Sequence, residues 1–273
     1  MKKIKIAITG ANGFLGKHLI KALDKKDNLE LSIFNKDKNN LFDSLSLESF
    51  LKGSHVVVHL AGSNRDSDFS LIKTNTLGTM GLLEAIAKYS PKAKVIFSSS
   101  FQVYDEKSAY GLSKKLAENI LEFFSRIYGI KSIILRISNI YGKDGRAFYN
   151  SVIATFVYLI KNKKPIVING TGEQKRDYVY VGDVISAIIK AIYYKPTQPY
   201  EDFNICSGKL TTVNEIVNIL RKNVDYKVDT NCNPDAVESN AVLLKDYSKA
   251  EKILNWYPEV DMVKGLSLTI KEK

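Results

Sequence analysis

The sequence predicts an α/β chain, a doubly wound parallel sheet with a smaller, interleaved C-terminal lobe. Three observations carry this. Apolar strand-like runs alternate with amphipathic helical stretches from Lys3 to Tyr141, the pattern of parallel strands joined by helical crossovers. The first run, Ile4-Lys5-Ile6-Ala7-Ile8, opens directly into Gly10-Ala11-Asn12-Gly13-Phe14-Leu15-Gly16. A second cluster, Ser98-Ser99-Ser100 and then Tyr110 and Lys114, follows a later strand.

Taken in order, the glycine turn leads into an amphipathic helix carrying Leu15, Leu19, Ile20 and Leu23. A second strand is expected over 29–34, and a third at Val56-Val57-Val58, followed by His59-Leu60-Ala61-Gly62. A helix is expected over 77–89, then the strand Lys94-Val95-Ile96-Phe97 ending in the three serines. The helix over 109–128 has an apolar stripe of Ala117, Ile120, Leu121, Phe124 and Ile127, and Gly129 stops it. Val184, Ile185, Ile188, Ile189 and Ile192 make 181–194 an amphipathic helix, with a loop over 195–199. Thr212 and Glu215 have capping-box spacing before a helix at 216–220.

A strand ending in a glycine turn that opens a helix is suited to a pyrophosphate: the backbone approaches closely and the helix N–H groups face the phosphates. The spacing here, G-x-x-G-x-x-G, is one residue longer than the common fingerprint. Tyr110 and Lys114, four apart, share one helix face. An ammonium beside a phenol is expected to lower its pKa from about 10. Such a Tyr exchanges a proton with a hydroxyl or keto oxygen, and Ser100, ending the neighbouring strand, can orient that oxygen.

With these motifs the chain resembles the extended short-chain dehydrogenase/reductase family, the Rossmann-type nucleotide-sugar epimerases, dehydratases and reductases. Further residues carry the resemblance: His59-Leu-Ala-Gly62, Asn75-Thr-Leu-Gly78-Thr79, Leu135-Arg136-Ile-Ser-Asn139-Ile-Tyr141-Gly142, and Asn169 to Val181. Asn204-Ile-Cys-Ser-Gly208 and Ser248 to Trp256 resemble its C-terminal markers. The resemblance implies Ser100, Tyr110 and Lys114 as the catalytic trio. It implies that Gly10, Asn12, Gly13, Phe14, Leu15 and Gly16 hold a pyrophosphate, and that Asn40 and Leu41 approach the adenine. Leu60, Ala61, Gly62 and Asn75 join the cofactor site, and Lys114 also bonds the nicotinamide ribose. Asn139 and Arg176 are implied for the diphosphate of a nucleotide-diphosphate sugar. It divides the chain into a cofactor domain, 1–165, and a substrate lobe, 166–273, with 181–194 returning to the first. Family members commonly form homodimers through two long helices, here near 77–89 and 109–128.

The departures narrow this expectation. Dehydratases of the family carry an Asp-Glu pair just after the catalytic Ser or Thr; here Phe101 and Gln102 stand there, which disfavours dehydration and decarboxylation. The link from Ser100 to Tyr110 is about half the usual length. That shortness, Ser100-x-Gln102, His59 to Arg65 and Tyr149 to Phe156 resemble reductases of a UDP-linked 4-keto-6-deoxy-N-acetylhexosamine. An Arg of many epimerases has no clear counterpart between Asn231 and Lys245. At the end of the second strand an Asp would bond the adenosine ribose; Asn35, Lys36 and Lys38 stand there. Loss of the anion and gain of cations favour NADP(H), with NAD(H) possible. The leading expectation is therefore a 4-keto reductase. A 4-epimerase with tightly held NAD is the alternative, and a non-catalytic dinucleotide sensor a third, opposed by the intact trio.

Composition agrees. The 273 residues are 45% hydrophobic, enough for a substantial core. No apolar run is long enough to cross a membrane, and the start leads straight into a strand, unlike a signal peptide. Cys206 and Cys232, like His18, His55 and His59, form no metal pattern, so a reduced cytoplasm and no metal are expected. The net charge of +11 comes chiefly from scattered Lys. It favours general attraction of anionic nucleotides over a nucleic-acid face.

Overall fold

The structure, a computed structural model, describes residues 3–105, 107–149, 151–233 and 244–271. Asn150 and residues 234–243, where the epimerase Arg was sought, lie outside the described residues. The elements in chain order are β1 (Ile4–Thr9), α1 (Phe14–Leu23), β2 (Leu29–Ile33), α2 (Glu48–Leu51), β3 (Val56–His59) and α3 (Asp68–Ile72). They continue with α4 (Gly78–Tyr89), β4 (Lys94–Ser100), α5 (Ala109–Tyr128), β5 (Ser132–Ile137), β6 (Asn139–Tyr141) and α6 (Val152–Lys161). Then come β7 (Ile166–Asn169), β8 (Lys175–Tyr180), α7 (Val181–Tyr193), β9 (Tyr200–Ile205) and β10 (Leu210–Thr212). The chain closes with α8 (Val213–Arg221), β11 (Thr230–Asn233), α9 (Ser248–Leu254) and α10 (Met262–Lys271).

Contacts divide the chain into two compact units, Met1–Ile137 with Ile185–Asn204, and Ser138–Val184 with Ile205–Lys273. The first is built on a six-stranded sheet of order β2-β1-β3-β4-β5-β9, with parallel pairing from β2 through β5. The order reverses beside β1, as in a doubly wound Rossmann-type sheet. The central strands are apolar on both faces, as parallel strands covered by helices must be: all four residues of β3 are buried. Their side chains join Leu82, Leu83 and Ile86 of α4 and Ala117, Leu121 and Phe124 of α5 in one core cluster. Ile127, expected on that buried stripe, is 64% exposed instead. The helix turns it away from the sheet near the terminus at Gly129.

The second unit has a three-stranded sheet, β10-β8-β6, and a pair, β11-β7. Residues 138–165, expected with the cofactor domain, pack here: Tyr141, Ile153, Phe156, Val157 and Ile160 share a cluster with Ile166, Ile168, Val213 and Ile216. The short β6 pairs with β8, which draws α6 into this core. The capping box of α8 is formed as expected, with the Thr212 hydroxyl on the Glu215 N–H and the Glu215 carboxylate on the Thr212 N–H.

Candidate active site

The glycine turn leaves no room for side chains. Gly10 has φ 74°, and a Cβ there would lie 2.6 Å from the Ala61 N. A Cβ on Gly16 would overlap the Gly10 carbonyl oxygen. The N-cap of α1 is Gly13, with no side-chain cap, so the first N–H groups of Phe14, Leu15 and Gly16 are left for a ligand. A tight backbone cradle at an uncapped helix start fits a dinucleotide pyrophosphate.

Hydrogen bonds draw the next segments to this turn. Thr9 Oγ1 accepts the Ala61 N–H at 3.1 Å and lies 2.7 Å from His59 Nδ1. His59 Nε2 lies 3.0 Å from Thr79 Oγ1, whose own proton goes to the Asn75 carbonyl. Thr79 can therefore only accept from the imidazole, which sets the Nε2–H tautomer, with Thr9 donating to Nδ1. Burial, with the Lys114 cation next, pushes His59 down to about 3. It is a neutral, buried structural ring.

Asn75 sits in a π-helical turn, Lys73–Leu77, a form often found at functional sites. Its side chain accepts from Ser63 N and donates to Ser63 O and to Ser113 Oγ on α5. Leu60, Ala61, Gly62, Asn75 and Lys114 are thus neighbours: a Cβ on Gly62 would meet Asn75 Oδ1 at 2.9 Å and Lys114 Nζ at 3.4 Å.

Tyr110 and Lys114 project from α5, whose N-cap Ser108 accepts the Gly111 N–H. The Tyr110 hydroxyl is hydrogen-bonded to Ser100. Lys114 Nζ donates to the Ser98 carbonyl at 2.9 Å and lies 4.6 Å from the Phe97 ring centroid. The short link between Ser100 and Tyr110 holds because Ser108 bonds the Gln102 amide oxygen and glycine at 111 lets Gln102 lie against α5. One expectation is corrected. In the protein alone, burial pushes Tyr110 up to about 12, against the Ser100 hydrogen bond, rather than an ammonium pulling it down. Burial likewise lowers Lys114 to about 8, opposed by Glu118.

Asn35 and Lys36 follow β2. Asn35 Oδ1 accepts the Asp37 N–H at 2.9 Å and its own N–H goes to Asn39 Oδ1, so the side chain shapes its own loop. Asn40 binds Ser46 and the Phe42 N–H, and Leu41 rests on Gly78 and Gly81 of α4.

Asn139 and Arg176 belong to the second unit. Asn139 Nδ2 donates to the Asp177 carbonyl at 2.9 Å, and Arg176 Nη1 to the Lys175 carbonyl at 2.7 Å. The Asp177 carboxylate accepts from Ser138 Oγ and from the N–H groups of Ser207 and Gly208. Sequence reasoning gave no role to Glu118, Arg136 or Tyr104, although Glu118 falls one turn beyond Lys114 on the same face. Among the described residues no group of three His, Cys, Asp or Glu could hold a metal, and no helix is long and apolar enough to cross a membrane.

Sheet and uncapped glycine turn together define an α/β protein of the dinucleotide-binding class, with a Ser–Tyr–Lys face on the same unit. A profile of the NAD dependent epimerase/dehydratase family matches residues 6–206, and the chain belongs to that family and is an enzyme. It is similar to the UDP-glucuronate 4-epimerase of Thermodesulfobacterium geofontis, 30% identical over 78% of this chain and 71% of that protein. It is also similar to the UDP-2-acetamido-2,6-beta-L-arabino-hexul-4-ose reductase of Pseudomonas aeruginosa, 31% identical over 69% of this chain and 50% of that protein. Among solved structures, the UDP-glucose 4-epimerase of Thermotoga maritima with UDP-glucose superposes with TM-score 0.88, 29% identity and 98% coverage of both chains.

Proposed function

We propose that this enzyme is a 4-epimerase of a UDP-linked hexose, working with tightly held NAD(H). The observation that carries the reading is the similarity, over 98% of both chains, to the Thermotoga maritima UDP-glucose 4-epimerase. When bound, the nicotinamide supplies the two-electron acceptor and donor for C4 of the sugar. Gly10, Asn12, Gly13, Phe14, Leu15 and Gly16 hold its pyrophosphate, and Lys114 bonds its ribose. Tyr110 takes and returns the proton of the C4 oxygen, which the Ser100 hydroxyl orients. In the protein alone Tyr110 is a protonated phenol, the form that returns a proton to a keto oxygen. Asn139 and Arg176 bind the diphosphate; a planar guanidinium matches its oxygens. Phe101, which is buried, and Gln102 offer no acid–base pair for dehydration.

A 4-keto reductase using NADP(H) is the second reading. Asn35 and Lys36, the short Ser100–Tyr110 link and the similarity to the Pseudomonas aeruginosa reductase favour it. Mass spectrometry of the dinucleotide released on denaturation separates the two. Near-stoichiometric NAD or NADH supports the epimerase. An empty protein that binds NADPH better than NADH overturns it in favour of the reductase.

We also infer a cytoplasmic homodimer. Leu77 and Met80 at the start of α4, and Leu112, Phe123 and Ile127 along α5, are exposed apolar residues on the two helices expected to pair. A monomeric mass by analytical ultracentrifugation removes the dimer.

A further inference from the structure

One buried and heavily bonded carboxylate in the first unit belongs to none of the expected site residues. Glu118, on α5 one turn beyond Lys114, is 1% exposed. Its carboxylate accepts from Ser99 Oγ at 2.6 Å, from Arg136 Nε at 3.0 and 3.2 Å, and from Arg136 Nη2 at 2.8 Å. Arg136 lies on β5 in register with Ser99. Its Nη1 reaches Asp202 Oδ2 at 2.8 Å and the Tyr104 hydroxyl at 3.0 Å. The Tyr104 hydroxyl in turn donates to Asn204 Oδ1 at 2.7 Å. Tyr104 ends the 3-10 turn that follows Ser100. The segment from Ser99 to Tyr104 is therefore gripped at both ends by one guanidinium–carboxylate pair, with Ser100 between, and the same carboxylate anchors the helix bearing Tyr110 and Lys114.

We propose that Glu118, held by Arg136 and Ser99, is the positioning residue of the Ser100–Tyr110–Lys114 face, fixing α5 against the end of β4 and keeping a negative charge one turn from the Lys114 ammonium. The proposal rests on the reading of that trio as catalytic. Buried ion pairs are poor sources of net stability, and this one bonds the residue before Ser100 and acts on the charge of Lys114. The ionisable groups around Lys114 are Tyr110 and Glu118 on its own helix and His59 on β3, with Arg136 on β5 beyond the carboxylate. His59 stays neutral, so Glu118 is the group that holds Lys114 cationic against its burial.

The test compares Glu118→Gln, Ser99→Ala and Tyr110→Phe, reading kcat, KM and NADH binding by fluorescence from pH 6 to 10. Glu118→Gln should lower kcat by about tenfold or more with KM little changed, since misplacement by a fraction of an ångström has effects of this order. The alkaline loss of NADH binding should move to lower pH, because Lys114 loses its anion. Ser99→Ala, which changes no charge, should lower kcat by several-fold without moving that loss downward. Parent-like pH profiles and kcat in Glu118→Gln overturn the proposal, whatever happens to its melting temperature. If that variant does not fold, an unchanged kcat in Ser99→Ala overturns it alone. Turnover surviving in Tyr110→Phe fails the catalytic reading itself. Turnover lost there, beside a parent-like Glu118→Gln, fails only the positioning role.

Discussion

In the first unit, Tyr110, Lys114 and Asn75 hang from helices packed on a six-stranded sheet, and their polar atoms are tied to Ser100, to the Ser98 carbonyl and to Ser63 and Ser113. In the second, Asn139 and Arg176 hang from short strands of a three-stranded sheet, where Asn139 Nδ2 and Arg176 Nη1 each donate to a backbone carbonyl. A proton transfer tolerates little variation in distance, and the first arrangement restricts it from several directions. The second leaves Asn139 exposed on its strand. With the roles proposed above, geometry would be enforced where bonds to hydrogen change and left looser where a ligand is held.

Three variants break or sharpen that contrast. Tyr110→Phe should cost about 10²–10⁴-fold in kcat, the range of general acid–base catalysis, with dinucleotide binding near normal by fluorescence titration. Loss of binding instead would make Tyr110 part of the cradle. Arg176→Ala should raise KM for a UDP-sugar by roughly 10–100-fold, the worth of a charge-assisted hydrogen bond, while kcat changes less. An equal loss in kcat would place Arg176 among the rigidly held groups.

The smallest effect is on stability. His59 stands at about 3 in the fold against about 6.5 unfolded. The unfolded chain therefore binds the extra proton between these values, and stability falls as pH falls from about 6.5 towards 3. The slope from this ring is about 1.4 kcal/mol per pH unit. Urea unfolding at pH 7, 6 and 5 should show that decline, and His59→Gln should flatten it. An unflattened slope would mean that other groups carry the acid sensitivity.

The turn from Gly10 to Gly16, the extent of α5 and the capping box at Thr212 were legible in the sequence because each is a local pattern: glycine spacing, an apolar stripe, a hydroxyl three residues before a carboxylate. What was not legible depends on distant partners. Arg136 and Glu118 are brought together only by the pairing of β4 with β5 and the packing of α5 upon them. The placement of 138–165 depended on the three residues of β6 choosing β8. Tyr110 shows the same limit in energetic form: the four-residue spacing to Lys114 was right, but the sign of the phenol's shift follows from burial that no spacing reveals.

The row through His59 also has a direction. From the Ala61 amide through Thr9, the imidazole and Thr79 to the Asn75 carbonyl, every hydrogen points the same way. Reversing one member would set two hydrogens or two lone pairs face to face. The ring proton on Nε2 is closed off from solvent and can exchange only when the row comes apart. Its resonance, followed in heavy water, would act as a stopwatch for how often the glycine turn and the π-helical turn lose their grip on each other.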